Sequence, residues 1–230
     1  MNRATSSRRP DEEPVVSALT ALLADLPSEL WSEGRINEPI WDTALLDPAR
    51  EIVARSGKGV RARLLESCWV LGGGEPGDLP DLLRAAIELL HVGSLVIDDI
   101  EDDSSMRRGQ PSLHRRYGLP RALNTGNWLC FLSLACLSRL PLDAEHRLAL
   151  SEAMSTGLLR CHQGQALDIS ISVTAIPRAE VHDLVLSTTT MKTGALMALA
   201  AVMGARAAGA PPGTVEAIRS FGSEMGVGLQ

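Results

Sequence analysis

Five acidic side chains fall within six positions, Asp98-Asp99-Ile100-Glu101-Asp102-Asp103, and Arg107-Arg108-Gly109 follows almost at once. Carboxylates and guanidinium groups this close together suit one kind of partner. Mg²⁺ takes hard oxygen ligands, keeps several waters, and is commonly held by one or two carboxylates together with substrate phosphate oxygens. Arginine forks donate paired hydrogen bonds to phosphate. The stretch reads as a place where a metal and a diphosphate are held together. An acidic run is more often a solvated helix end, but these acids close an apolar segment rather than decorate a polar one.

The element that must position them lies just upstream. From Asp81 to Ile100 apolar residues recur at helical spacing (Leu82, Leu83, Ala86, Leu89, Leu90, Leu95) with no proline inside. This spacing predicts a helix of about five to six turns. Positions four apart share a helix face, so Asp98 and Asp102 project side by side, with His91 two turns back on the same face. Asp99 and Asp103 form a second such pair, rotated by roughly 100°. Like charges at this spacing destabilise an isolated helix by about a few tenths of a kcal/mol per pair, a cost that a bound cation removes.

His91, Asp98-Asp99-Ile100-Glu101-Asp102 and Arg107-Arg108-Gly109-Gln110-Pro111-Ser112-Leu113-His114 together resemble the first aspartate-rich motif of the trans-isoprenyl diphosphate synthases, the all-α polyprenyl synthetase family. Other segments resemble that family in order. Gly57-Lys58-Gly59-Val60-Arg61-Ala62 is similar to its G-K-R-x-R-P, with Gly59 in place of the middle basic residue and Ala62 in place of proline. Gly126-Asn127-Trp128-Leu129 is similar to G-D-x-L, with Asn127 replacing the acid, and Gly164-Gln165-Ala166-Leu167-Asp168 to G-Q-x-x-D. Lys192-Thr193 matches the K-T segment, and Phe221-Gly222 through Gly226 to Gln230 the run ahead of the family's second aspartate-rich motif, with Leu229 where the family has Phe. In the family that second motif begins within a residue or two of the position of Gln230. The expectation is therefore that this sequence is part of a longer protein.

The resemblance implies an all-α fold, a bundle of long antiparallel helices around a central cavity. It implies Mg²⁺ on Asp98 and Asp102 and a condensation of isopentenyl diphosphate with an allylic diphosphate to a linear all-trans prenyl diphosphate. Lys58, Arg61, His91 and Arg108 would hold isopentenyl diphosphate. Arg107 and Lys192 would serve the allylic diphosphate, and Thr193 and Gln230 would line the path of the allylic cation. Lys192 stands alone in an apolar run and needs an anionic partner, a diphosphate or Asp168. His114 contacts phosphate or closes the turn after Pro111. Gly93 and Ser94, small where shorter-chain members carry bulky aromatics, would leave a product tunnel open as far as Leu90, for a product of geranylgeranyl length or longer; alternatively they only let helices pack closely. The helix carrying Gly126 to Leu140, apolar nearly all round, would pair two copies as a homodimer. Two other readings stay open: a class I terpene cyclase on the same scaffold, and a non-catalytic partner subunit of a heteromeric prenyl synthase.

Composition agrees with an all-α fold. Of 230 residues, 45% are hydrophobic and only 3% aromatic, which favours helix over strand. Helices are expected over 15–30, 48–55, 59–71, 80–103, 119–140, 144–170, 178–190, 192–208 and 213–230, separated by Gly- and Pro-rich breakers. Residues 1–14 are polar with mixed charge and are expected to form a disordered tail ahead of a single domain, 15–230. A net charge of −6 argues against a nucleic-acid surface. The apolar run Trp128–Leu137 is half of what a bilayer requires, so no transmembrane segment is expected. Cys68, Cys130, Cys136 and Cys161 sit in apolar stretches without CxxC spacing and read as core thiols of a cytoplasmic protein.

Overall fold

The structure, a computed structural model, describes residues 19–24, 38–55 and 57–230. The expected tail over 1–14 and most of the expected helix over 15–30 lie outside these residues. Among the described residues the longer helices, with one short one, are α1 (Asp47–Ala54), α2 (Val60–Leu71), α3 (Asp81–Glu101), α4 (Leu113–Tyr117), α5 (Leu119–Ser138), α6 (Ala144–Ser170), α7 (Arg178–Thr189), α8 (Ala195–Ala207) and α9 (Pro212–Leu229), and short helical stretches cover 19–24 and Glu38–Trp41. Among the described residues the only sheet is a two-stranded hairpin, β1 (Met106–Arg107) with β2 (Gln110–Pro111). The chain divides into two compact units, one holding the residues up to Gly59 together with Glu88–Ser133, the other Val60–Ile87 with Leu134–Gln230.

In the first unit, the C-terminal half of α3 shows two faces. Leu89, Val92, Gly93, Val96 and Asp99 are buried, whereas His91, Ser94, Leu95 and Asp98 are half-buried. The buried positions recur at three- and four-residue steps, as one stripe of a helix does. Gly93 meets Gly126 of α5 at a close crossing: a Cβ on Gly93 would lie 2.7 Å from the Gly126 carbonyl oxygen and 2.8 Å from Cys130 Sγ. Gly93 therefore leaves no open space, and the tunnel reading is corrected at that position. Glycine is there to let two backbones approach.

The second unit is built on α8, where every residue but Arg206 is buried. Leu64 and Cys68 of α2, Met197, Ala201 and Ala205 of α8 and Ile218 of α9 form one core cluster. The α2–α8 approach is close enough that a Cβ on Gly204 would sit 2.1 Å from the Leu65 carbonyl oxygen. Asp143 caps α6, its side chain accepting from the His146 N–H at 2.9 Å, as a good N-cap does.

The segment after the acids forms the β1–β2 hairpin. One expectation changes. The helix expected to stop at 190 continues into α8 through a π-helical turn, Thr190–Gly194. The run Arg178–Ala207 is long and apolar enough to cross a membrane by length and composition, a test that the core helix of a folded domain also passes, and 44% of its most apolar stretch is buried inside the fold.

Candidate active site

In the first unit α3 delivers the acids and then stops. The Asp102 N–H still donates to the Asp98 carbonyl at 2.9 Å, so Asp98 and Asp102 keep their shared face. Asp103 turns left-handed at φ 50°, and its carboxylate meets Arg115 Nη2 at 2.6 Å. The expected second pair, Asp99 with Asp103, is thus not made. Asp99 lies on the buried stripe, its side chain only 2% exposed against 23% for Asp98. A carboxylate so enclosed needs a charged partner, and Arg107 supplies it: Nε donates to both Asp99 oxygens at 2.8 and 3.0 Å, and Nη2 to Oδ1. Arg107 Nη2 stands 3.7 Å from Asp98. The hydrogen bonds to Asp99 raise the Arg107 pKa above its ordinary value, outweighing the burial that lowers it.

The hairpin presents the arginines. Met106 pairs with Pro111 and Arg107 with Gln110, leaving Arg108-Gly109 as a two-residue loop. Both loop residues have positive φ, 53° and 75°, as a type I′ turn requires. Gly109 adopts this freely, whereas Arg108 does so at a cost. The Arg108 guanidinium lies against Gly57, where a Cβ would come within 2.6 Å of Nη2. Two basic motifs about fifty residues apart in sequence thus touch at Gly57 and Arg108. Gly59, at φ 56°, has the left-handed backbone that glycine suits best, a physical reason for the missing basic residue there.

Sequence reasoning missed the support beneath the hairpin. Arg55 is 4% exposed. It donates from Nη1 to the Arg107 carbonyl at 3.2 Å and from Nη2 to the Pro111 carbonyl at 2.9 Å, and pairs with Glu51 at 2.5 Å. Glu51 accepts from the Tyr117 hydroxyl at 2.6 Å and meets Arg116 at 3.0 Å. Burial pulls the Glu51 carboxyl up, but the bonds from Tyr117 and Arg55 and the charges of Arg55 and Arg116 win, holding it below the ordinary range. The one available signal was a lone arginine closing an amphipathic helix beside Gly57-Lys58. His114 has a buried ring, 8% exposed, with Nε2 3.8 Å from Asp103.

The second unit assembles the remaining expected residues around the π-helical turn. Gly164 packs on its backbone, a Cβ there falling 2.7 Å from Lys192 N. Four residues on, on the same face of α6, Asp168 accepts from Lys192 Nζ at 2.6 Å, one of the two anionic partners the sequence left open. Gly226 of α9 repeats the device: its Cβ would lie 2.6 Å from Gly194 Cα, and four residues later Gln230 Oε1 accepts from Thr193 Oγ1 at 2.6 Å. Asp168, Lys192, Thr193 and Gln230 line a cavity of about 270 Å³ that Leu184 and Thr188 help to close. Interruptions of this type inside helices are frequent at functional sites.

Lys58 and Arg61 flank the start of α2, Leu90 is buried, and Ser94 is half-buried, its hydroxyl donating to the His91 carbonyl at 2.8 Å. The four cysteines are free thiols, and burial raises the pKa of each, Cys136 to about 12 and the others to about 11. Among the described residues no group of three or more His, Cys, Asp and Glu gathers as a metal cage. Mg²⁺ does not need one, because one or two carboxylates leave its other positions to water and phosphate. Asp98 and the exposed Asp102 fit that half-shell, and Asp99, committed to Arg107, does not.

A family model described as polyprenyl synthetase matches residues 42–230. The chain belongs to the polyprenyl synthetase family. It is 32% identical over 171 residues to a geranylgeranyl pyrophosphate synthase of Mucor circinelloides f. lusitanicus, covering 74% of this chain and 53% of that protein. It is 32% identical over 207 residues to a short chain isoprenyl diphosphate synthase of Methanothermobacter thermautotrophicus, covering 88% and 62%. The chain thus spans about half to three-fifths of the length of these curated relatives. An isoprenoid synthase family member from Thermotoga neapolitana shares the fold at a TM-score of 0.75 and 24% identity, over 95% of this chain and 76% of that one. A geranylgeranyl pyrophosphate synthase from Lactobacillus brevis superposes at 0.72 and 25% identity, over 95% and 62%. The family's all-α isoprenoid synthase fold is therefore the fold of this chain.

Proposed function

We propose that the protein is a trans-prenyltransferase, condensing isopentenyl diphosphate with an allylic diphosphate to a linear all-trans prenyl diphosphate of geranylgeranyl length or longer. The observation that carries the reading is the contact of Arg108 with Gly57, the residue beside Lys58 in sequence, in the same unit as the open Asp98–Asp102 face. Asp98 and Asp102 would hold Mg²⁺, which supplies Lewis-acid polarisation of a diphosphate. Lys58, Arg61, His91 and Arg108 hold the diphosphate of isopentenyl diphosphate. Arg107, gripped by Asp99, fixes the acidic end of α3 and adds positive charge beside it. Lys192 stabilises the charge that grows on the departing diphosphate. The allylic C–O bond breaks, the isopentenyl double bond forms the new C–C bond, and a proton leaves to the released diphosphate. Thr193 and Gln230 offer oxygens to the positive charge on carbon. Ser94 and Leu90 remain as length-setting positions. A homodimer in a cytoplasmic setting belongs to the same proposal; the outward stripe Leu119, Leu123 and Phe131 on α5, 53%, 39% and 68% exposed, supports the dimer.

The test is incubation of the purified protein with labelled isopentenyl diphosphate, Mg²⁺ and dimethylallyl, geranyl or farnesyl diphosphate. Label in an acid-labile prenyl diphosphate is expected. Conversion of an allylic diphosphate alone to a cyclic hydrocarbon would defeat the proposal.

A further inference from the structure

We propose that Arg55 is a positioning residue for diphosphate binding, holding the Arg107–Arg108 hairpin so that the Arg108 guanidinium stays against Gly57, beside the segment that carries Lys58. The proposal rests on the reading of those cations as diphosphate ligands. Arg55 closes α1, and its side chain reaches across to both strands of the hairpin, donating to the carbonyl of Arg107 at 3.2 Å and of Pro111 at 2.9 Å. Its own backbone carbonyl accepts from Arg108 Nη1 at 2.7 Å. One residue therefore binds the hairpin by side chain and main chain at once. The hairpin needs such a clamp. It has only two paired positions, too few to stand alone in water, and it holds Arg108 in a left-handed backbone that only surrounding structure maintains. Arg55 is in turn oriented by Glu51, which Tyr117 and Arg116 fix from α4 and its edge. The planar fork is essential: it reaches two carbonyls and one carboxylate together, which a lysine ammonium on a single flexible stem does not reproduce.

The experiment is calorimetric titration of inorganic diphosphate with Mg²⁺ into the wild type, Arg55→Lys and Tyr117→Phe, with thermal melts and circular dichroism on each. Arg55→Lys is expected to weaken diphosphate binding at least about tenfold while the helical spectrum is kept, as loss of a supporting partner does at preorganised sites. Tyr117→Phe, which removes one hydrogen bond from Glu51, is expected to weaken it by about threefold. In an Arg108→Ala background, Arg55→Lys should cost little more, because the two act as a unit. A lowered melting temperature with wild-type diphosphate affinity would make Arg55 merely structural and overturn the proposal. If Arg55→Lys does not fold, Tyr117→Phe decides: weaker binding supports the proposal and unchanged binding overturns it. A wild type that binds diphosphate in the Arg55-dependent manner expected but forms no prenyl product overturns the prenyltransferase reading alone. A wild type that does not bind diphosphate overturns this inference.

Discussion

Replacing Asp99 by Asn and, separately, Asp98 by Asn separates two neighbouring acids by role. Asp99 is 2% exposed and bound bidentately by an Arg107 that is 26% exposed. Removing one partner of a buried ion pair costs about 3–5 kcal/mol, because the other charge is left uncompensated. Arg107 is about a quarter solvated, so the lower end applies, about 3 kcal/mol. For a domain of this size each kcal/mol moves the midpoint by about 2–4 °C, so Asp99→Asn should melt about 6–12 °C earlier. Asp98 sits on the open face, and its substitution should stay within about 0.5 kcal/mol of wild type, as surface changes do. Asp98→Asn should instead abolish Mg²⁺-dependent turnover. Thermal and guanidinium unfolding give the first quantity and single-turnover prenyl transfer the second. Equal melting shifts for the two variants, or an Asp99→Asn protein as stable as wild type, would refute the assignment of Asp99 to structure.

Gly93→Ala places a Cβ 2.7 Å from a backbone oxygen; overpacking of about 1–3 kcal/mol against about 1 kcal/mol of gained helix propensity predicts a net loss of up to about 2 kcal/mol, measured by denaturant unfolding. Ser94→Phe should shorten the product toward farnesyl or geranyl length in chromatographic analysis, whereas an unchanged product would remove Ser94 from the length-setting positions. Phe131→Glu should convert a dimer to monomer by light scattering without changing the helical spectrum. The folded Glu51 pKa lies below its reference of 4.5, so its stabilising contribution is complete above that value and is lost as pH falls through the folded pKa. Glu51→Gln should therefore flatten the acid limb of stability against pH, read from melts taken at stepped pH.

The periodicity of residues 81–100 showed a helix, and the i,i+4 spacing put Asp98 and Asp102 on one face, because both properties are local to one helix. Resemblance in short motifs likewise pointed to Lys58, Arg108 and Lys192, and the lone cation in an apolar run called for an anionic partner, a diphosphate or Asp168. Periodicity could not say which of two adjacent aspartates turns inward. That was decided when α3 laid its Gly93 face on Gly126, burying Asp99 with it and obliging Arg107 to follow. The Arg55 clamp spans more than fifty residues of sequence, and neither the left-handed Arg108 nor the type I′ turn has a strong local signature. The π-helical turn at Lys192 is likewise braced by Gly164 and Gly226 from other helices. Side chains that bind along one helix are legible in its spacing. The buried partner that each charge must find is chosen only when distant segments close around it and remove its water.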